Sequence, residues 1–166
     1  MKQRPSGRCR QTLKYQNILL ASHGTPGAQA AEALALSLCT EAATLHHLLV
    51  VPDLWRGMMG DDWLNNVRTR IAFGEYLEDE LTREVREHVD RLTTQTTARG
   101  VRYHSEIRQG DPAECLIAFS RELCSELIVI GAPRPKGTPG LRSRLKIEPL
   151  VRALNAPLMV APQPHD

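Results

Sequence analysis

Two segments of this chain carry residues whose types and spacing could do chemistry. The first is the turn Ser22-His23-Gly24-Thr25, which follows the short apolar run Ile18–Ala21 and offers a hydroxyl, an imidazole and a second hydroxyl around a glycine. The second is the loop from Arg134 to Lys146. It holds Arg134, Lys136, Arg142, Arg144 and Lys146 with no acid among them, interleaved with Gly137 and Gly140. Five cations at that density can hold a phosphate by side-chain charge. The histidines His46, His47, His88 and His104 and the cysteines Cys9, Cys39, Cys115 and Cys124 show no zinc-ligand spacing, so no metal site is expected. No catalytic residue is expected either. Ser22 and Ser143 lack the G-x-S-x-G strand-to-helix elbow, and neighbouring side chains on a strand point to opposite faces, so Ser22 and His23 do not form a nucleophile and its base.

These residues must be positioned by the elements around them, and the pattern alternates strand and helix. Ile18–Ala21 reads as a first strand, and Thr25-Pro26 as an N-cap followed by an N1 proline that opens an Ala- and Leu-rich buried helix over 28–39. Leu48–Val51, stopped by Pro52, reads as the second strand. On that reading His46 and His47 stand at its start, at the opposite end of the sheet from His23. The charge-dense stretch 73–94 predicts an exposed amphipathic helix, with Asp79/Arg83 and Glu87/Arg91 at i,i+4 spacing and Gly100 as its stop. Val101, Tyr103, Ser105 and Ile107 alternate with Arg102, His104, Glu106 and Arg108, the signature of an edge strand with one wet face. Asp111-Pro112-Ala113-Glu114 supplies an N-cap, an N1 proline and an N3 acid, and Leu116, Phe119 and Leu123 follow at helical spacing. Leu127–Ile130 is a wholly apolar strand. Ile147, Leu150, Val151 and Leu154 form a helical stripe, and Pro157 precedes the last strand, Leu158–Val160. Strand and helix in alternation argue for an α/β domain with a mainly parallel sheet.

The segment LIVIGAPRPKGTPGLRSRLKIEPLVRALNAPLMVAP over 127–162, the GDPAE turn at 110–114 and the first strand with its turn together resemble the universal stress protein family. The resemblance covers 17–162. It implies an open five-stranded sheet in the order 3-2-1-4-5 with helices on both faces and a ligand cleft at the carboxyl ends of the strands. It also implies cleft positions at Ser22, His23, Gly24, Thr25, Val51, Gly131, Arg134, Lys136 and Arg144. In nucleotide-binding members of the family an Asp ends the first strand and a G-x2-G-x9-G-[ST] pattern follows the fourth. This sequence departs from both: His23 stands in the place of the acid, Arg134 replaces the second glycine after Gly131, and Arg144-Leu145 occupies the final Gly-[ST]. Pro133 and Pro135 further remove N–H donors from the loop. The expectation is therefore a regulatory or ligand-sensing, non-enzymatic protein of the stress response that does not bind ATP tightly and carries no resident cofactor. An alternative keeps ATP, AMP or another phosphate-bearing ligand, with weak ATPase activity left open, through contacts rebuilt from Arg134, Lys136 and Arg144. A third reading takes His23 as a metal-handling residue, since the Ser-His-Gly turn is similar to that of the small chelatases.

Composition bounds the rest. With 166 residues, 42% of them hydrophobic, the chain suits one globular domain. No apolar run reaches a membrane span, and the first residues have no hydrophobic core of a signal peptide, so a cytoplasmic protein with reduced thiols is expected. Residues 1–14 hold Lys2, Arg4, Arg8, Arg10 and Lys14 and no acid. With the five cations of the 134–146 loop they take ten of the 21 basic residues, leaving 11 against 19 acidic ones, a formal −8 on the remaining body. The expected layout is a basic disordered tail over 1–15 and one domain over 16–163, with a variable insertion at 53–70. That insertion carries Trp55, Met58, Met59 and Trp63 and is expected to cover the cleft as a lid or to serve as a protein-binding surface. No recognition helix or stacking motif supports nucleic-acid binding. In the implied strand order Leu158–Ala161 is a bare apolar edge, so a homodimer through that strand is expected.

Overall fold

The computed structural model describes residues 15–22, 26–51, 83, 86–133 and 145–163. The elements in chain order are β1 (Tyr15–Ala21), α1 (Pro26–Leu38), β2 (Cys39–Val51), α2 (86–97), β3 (Arg102–Gln109), α3 (Pro112–Glu122), β4 (Leu127–Gly131), α4 (Ile147–Ala153) and β5 (Leu158–Ala161). The five strands form one sheet in the order β3-β2-β1-β4-β5, every neighbouring pair parallel. Sheet order and fold class agree with the sequence expectation, and β3 and β5 are the two edges. Among the described residues no helix is long and apolar enough to cross a membrane.

The central strands β1 and β4 are buried on both sides, which is why they read as continuous apolar runs instead of alternating ones. Ile18 and Leu20 face α1 and α2, where they meet Ala31, Ala35 and Leu92. Leu19, Ile128 and Ile130 face the other way, against Leu116 and Phe119 of α3 and Leu150 of α4. Helix α3 begins where the motif predicts: the Asp111 carboxylate accepts from the amides of Ala113 and Glu114 at 2.9 and 3.0 Å, with Pro112 in the first turn. Such a cap contributes about 1 kcal/mol.

Four expectations need correction. Strand β2 starts at Cys39, nine residues before the apolar run that marked it, because its first half, CTEAATL, mixes polar and apolar residues and is tied to the sheet by pairing with β1 from Tyr15↔Cys39 onward. His46 and His47 therefore stand in its second half, not at its start. Arg91 does not pair with Glu87 along the face of α2; it reaches across to Glu32 of α1 at 2.8 Å. In α4 the helical stripe is incomplete: Leu150 is fully buried, but Val151 is 67% exposed, because a two-turn helix touches the sheet along one narrow line. In β3 the inward set is only partly covered, and Ile107 remains 57% exposed.

Candidate functional site

The order of strands reverses between β1 and β4, and Ser22 lies just beyond the end of β1 at that point. Ligands of open α/β sheets bind in the crevice at such a switch point. The Ser22 side chain is on the same face as Ile18 and Leu20, under α1 and α2, and is 1% exposed. Three polar groups converge on its oxygen. Glu32 Oε1 of α1 stands at 3.1 Å, His47 Nε2 of β2 at 2.9 Å and His88 Nε2 of α2 at 2.8 Å. A second ring of contacts encloses these. Tyr103 of β3 places its hydroxyl 2.7 Å from His47 Nδ1, and the Arg91 guanidinium lies 2.8 Å from both Glu32 Oε2 and His88 Nδ1.

One proton arrangement satisfies the Ser22 contacts together, with the single His88 Nε2 proton shared between Ser22 and Glu32 Oε1, 3.0 Å away. Arg91 can only donate, so His88 Nδ1 must accept and its Nε2 must carry the proton. Glu32 is ionised beside Arg91, so Ser22, one hydroxyl with one hydrogen, donates to the carboxylate. Both lone pairs of Ser22 are then taken by N–H donors, which makes His47 the Nε2–H tautomer. Its Nδ1 accepts in turn from the Tyr103 hydroxyl. Every polar atom in the cluster is satisfied, with one anion against one cation. Burial alone would raise the Glu32 carboxyl, but its hydrogen bond with His88, the Arg91 charge and the Ser22 hydroxyl outweigh it, and the group titrates below its ordinary range. Burial pushes His47 down to about 4, reinforced by His88 and opposed by Glu32. Burial and the Glu32 charge raise the Tyr103 phenol, so it stays a hydroxyl donor.

A serine among two histidines and a glutamate invites comparison with a hydrolase triad, but in this proton arrangement the cluster is not set up as one. Both imidazole nitrogens facing Ser22 are donors, so neither can take its proton, and neither histidine has a carboxylate on its Nδ1. Among the described residues no group of three or more His, Cys, Asp or Glu side chains is arranged to hold a metal ion. His46 and His104 stack across β2 and β3 on the opposite face, their ring centroids 5.6 Å apart. Cys39 is half-buried, and burial raises its thiol to about 11, which leaves it protonated and inert.

Of the expected cleft residues, Ser22 stands at the switch point, Val51 is the last residue of β2 and Gly131 the last of β4. Gly131 is held by close approach. A Cβ there would strike the Gly27 carbonyl oxygen in the first turn of α1, and would lie 3.0 Å from the Ala28 nitrogen. His23, Gly24, Thr25, Arg134, Lys136 and Arg144 lie outside the described residues, as do Trp55, Trp63 and the rest of the 53–70 insertion. The sequence reading missed Glu32, His47, His88, Arg91 and Tyr103 as partners of Ser22. Two signals were available: Glu32 is the one acid in the apolar α1, and His88, Leu92 and Thr96 share an i,i+4 stripe that is buried throughout. An open groove against α3, lined by Glu106, Arg108, Gln109, Glu114, Cys115 and Ala118, lies on the other side of the molecule from this cluster.

A five-stranded parallel sheet with this order and a polar cluster at its switch point defines an α/β fold of the nucleotide-binding-like type. The chain belongs to the universal stress protein family, whose model matches residues 14–162. Three solved structures place it further. The protein MJ0577, described as hypothetical, is 17% identical with a TM-score of 0.65, covering 93% of this chain and 100% of its own. A universal stress protein family member from Burkholderia pseudomallei is 26% identical with a TM-score of 0.61, over 88% of this chain and 95% of its own. One from Arabidopsis thaliana, solved with AMP bound, is 14% identical with a TM-score of 0.55, over 90% of this chain and 92% of its own. No curated protein matches the chain significantly.

Proposed function

We propose that this universal stress protein is a non-enzymatic regulator or ligand sensor of the stress response, acting in the cytoplasm as a homodimer and without tight ATP binding. The observation that carries this reading is the commitment of Ser22. The Ser22 hydroxyl, at the switch point, gives its proton to Glu32 and both lone pairs to histidines, so it has nothing left to offer a ligand. The acid and later glycines of the family's nucleotide motif are also replaced, at His23, Arg134 and Arg144-Leu145. Isothermal titration with Mg-ATP at physiological salt is expected to give no dissociation constant below about 100 μM, roughly 5.5 kcal/mol of binding. Low-micromolar binding would overturn the reading.

A second reading, favoured by the AMP-bound Arabidopsis structure, keeps an adenine nucleotide with phosphate contacts rebuilt from Arg134, Lys136 and Arg144. On that reading AMP or ATP binds at low micromolar concentration and Arg134→Ala weakens it most. The chelatase-like reading of His23 has less support, because the ring nitrogens of His47 and His88 are all engaged within the cluster.

The dimer rests on β5. It is an edge strand, Leu158 and Met159 are only partly buried, and Val160 is 39% exposed. Antiparallel pairing of this strand with its copy would cover the edge. Analytical ultracentrifugation at micromolar concentration should show a dimer that Met159→Lys shifts towards monomer. A monomeric wild type would sink the proposal.

A further inference from the structure

We propose that the Ser22–Glu32–His47–His88–Arg91–Tyr103 cluster is an acid-operated latch that holds α2 against the sheet at neutral pH and loosens it as the pH falls towards 5. The proposal concerns the cluster alone and stands whether or not the cleft takes a ligand. Its basis is geometric. The cluster joins five elements: Ser22 after β1, Glu32 from α1, His47 from β2, Tyr103 from β3, and His88 and Arg91 from α2. The polar hold on α2 is made through His88 and Arg91, with Leu92 buried beside them.

The charge balance of the closed latch depends on the His47 imidazole being neutral. The groups facing His47 are the Tyr103 hydroxyl on Nδ1, Ser22 on Nε2, the tilted His88 ring at 5.1 Å, and beyond them the Glu32 carboxylate and the Arg91 guanidinium. A proton on His47 Nδ1 would force the Tyr103 hydroxyl to give up its donor role and would place a second cation near Arg91. On His88, Nδ1 is already occupied by the donating guanidinium. The opened state has no such restriction, because water can solvate a charged ring, so protons bind preferentially to the open form.

The sign follows from linkage. The His47 pKa in the closed form is lowered by burial from 6.5 to about 4. Stability of the closed latch is fully present above about 6.5 and is lost progressively as the pH falls from there towards 4. Through His47 alone, the open-to-closed ratio rises about 20-fold from pH 7 to pH 5. The Glu32 carboxyl is held below its ordinary range, so between pH 7 and pH 5 the change reports histidine and not the acid.

Hydrogen exchange followed by mass spectrometry tests this on the full chain. Protection factors, corrected for the intrinsic pH dependence of exchange, are expected to fall about 20-fold between pH 7 and pH 5 in residues 88–97 of α2. Those of α3, residues 116–122, should change by less than about threefold. In His47→Gln, whose amide can donate and accept but cannot titrate, the α2 change should shrink to a few-fold. Nitrogen-15 NMR of the wild-type imidazoles gives a second readout that needs no variant: His47 should be the Nε2–H tautomer and remain neutral at pH 5. A His47 ring that titrates near 6.5 in the folded protein, α2 protection independent of pH, an equal loss in α3, or a folded H47Q variant with undiminished pH dependence would each overturn the latch.

Discussion

On one side of the sheet Leu19, Ile128 and Ile130 meet Leu116, Phe119 and Leu150 in a cluster of hydrocarbon. On the other, Ile18 and Leu20 lead towards Ser22, Glu32, His47 and His88, so the same strands end in a buried polar network. The two sides differ in what can disturb them. Hydrocarbon contacts respond to lost volume and to temperature, and are indifferent to pH in the neutral range. A network with a fixed proton on every heteroatom is directional, and each group left unpaired costs more than its pairing contributes. Helices α3 and α4 are thus held by shape, α1 and α2 partly by the bookkeeping of protons.

Measurements of unfolding free energy can break this contrast. Ile128→Ala, in the middle of the apolar side, should cost about 3–4 kcal/mol in urea denaturation, with the same cost at pH 7.5 and pH 5.5. A cost that changed strongly with pH would show that the two sides are coupled. Glu32→Ala should cost about 2–3 kcal/mol at pH 7.5. That is below the usual value for breaking a buried ion pair, because the Arg91 side chain is 40% exposed and can turn to water. A loss under 0.5 kcal/mol would mean that the network contributes little to holding α1 against α2. The smallest effect belongs to a local device: Asp111→Ala should cost about 1 kcal/mol through the lost cap of α3, without altering α2 protection.

The sheet was readable because its signals are local. Apolar runs at Ile18–Ala21, Leu127–Ile130 and Leu158–Val160, the Asp111-Pro112 cap and the order of elements are each written in a few consecutive residues. The site was not, because its members are far apart in sequence: Ser22 meets His47 across 25 residues and His88 across 66. Periodicity identifies the face a residue belongs to and says nothing of which opposing polar group it meets. His47 illustrates the gap. Reading β2 from its apolar run alone puts this histidine at the start of the strand, whereas pairing with β1 extends the strand back to Cys39, and His47 stands beside Leu20 and Ser105, one step from the end of β1. Arg91 was misassigned for a similar reason. An i,i+4 partner is visible in the sequence, and a partner on another helix is not.

The contact between Gly131 and the first turn of α1 bears on how family motifs are weighed. Because the Gly27 carbonyl occupies the space a side chain would need, a glycine is required at this place by the masonry of strand against helix, with or without a nucleotide. Retention of that first glycine therefore carries almost no information about ligand when a chain is scored against a phosphate-binding pattern. The diagnostic weight moves to positions such as 134 and 144. There this chain carries arginine, and a pattern search that counted Gly131 as a match would credit the protein with half a binding loop on the strength of a packing residue.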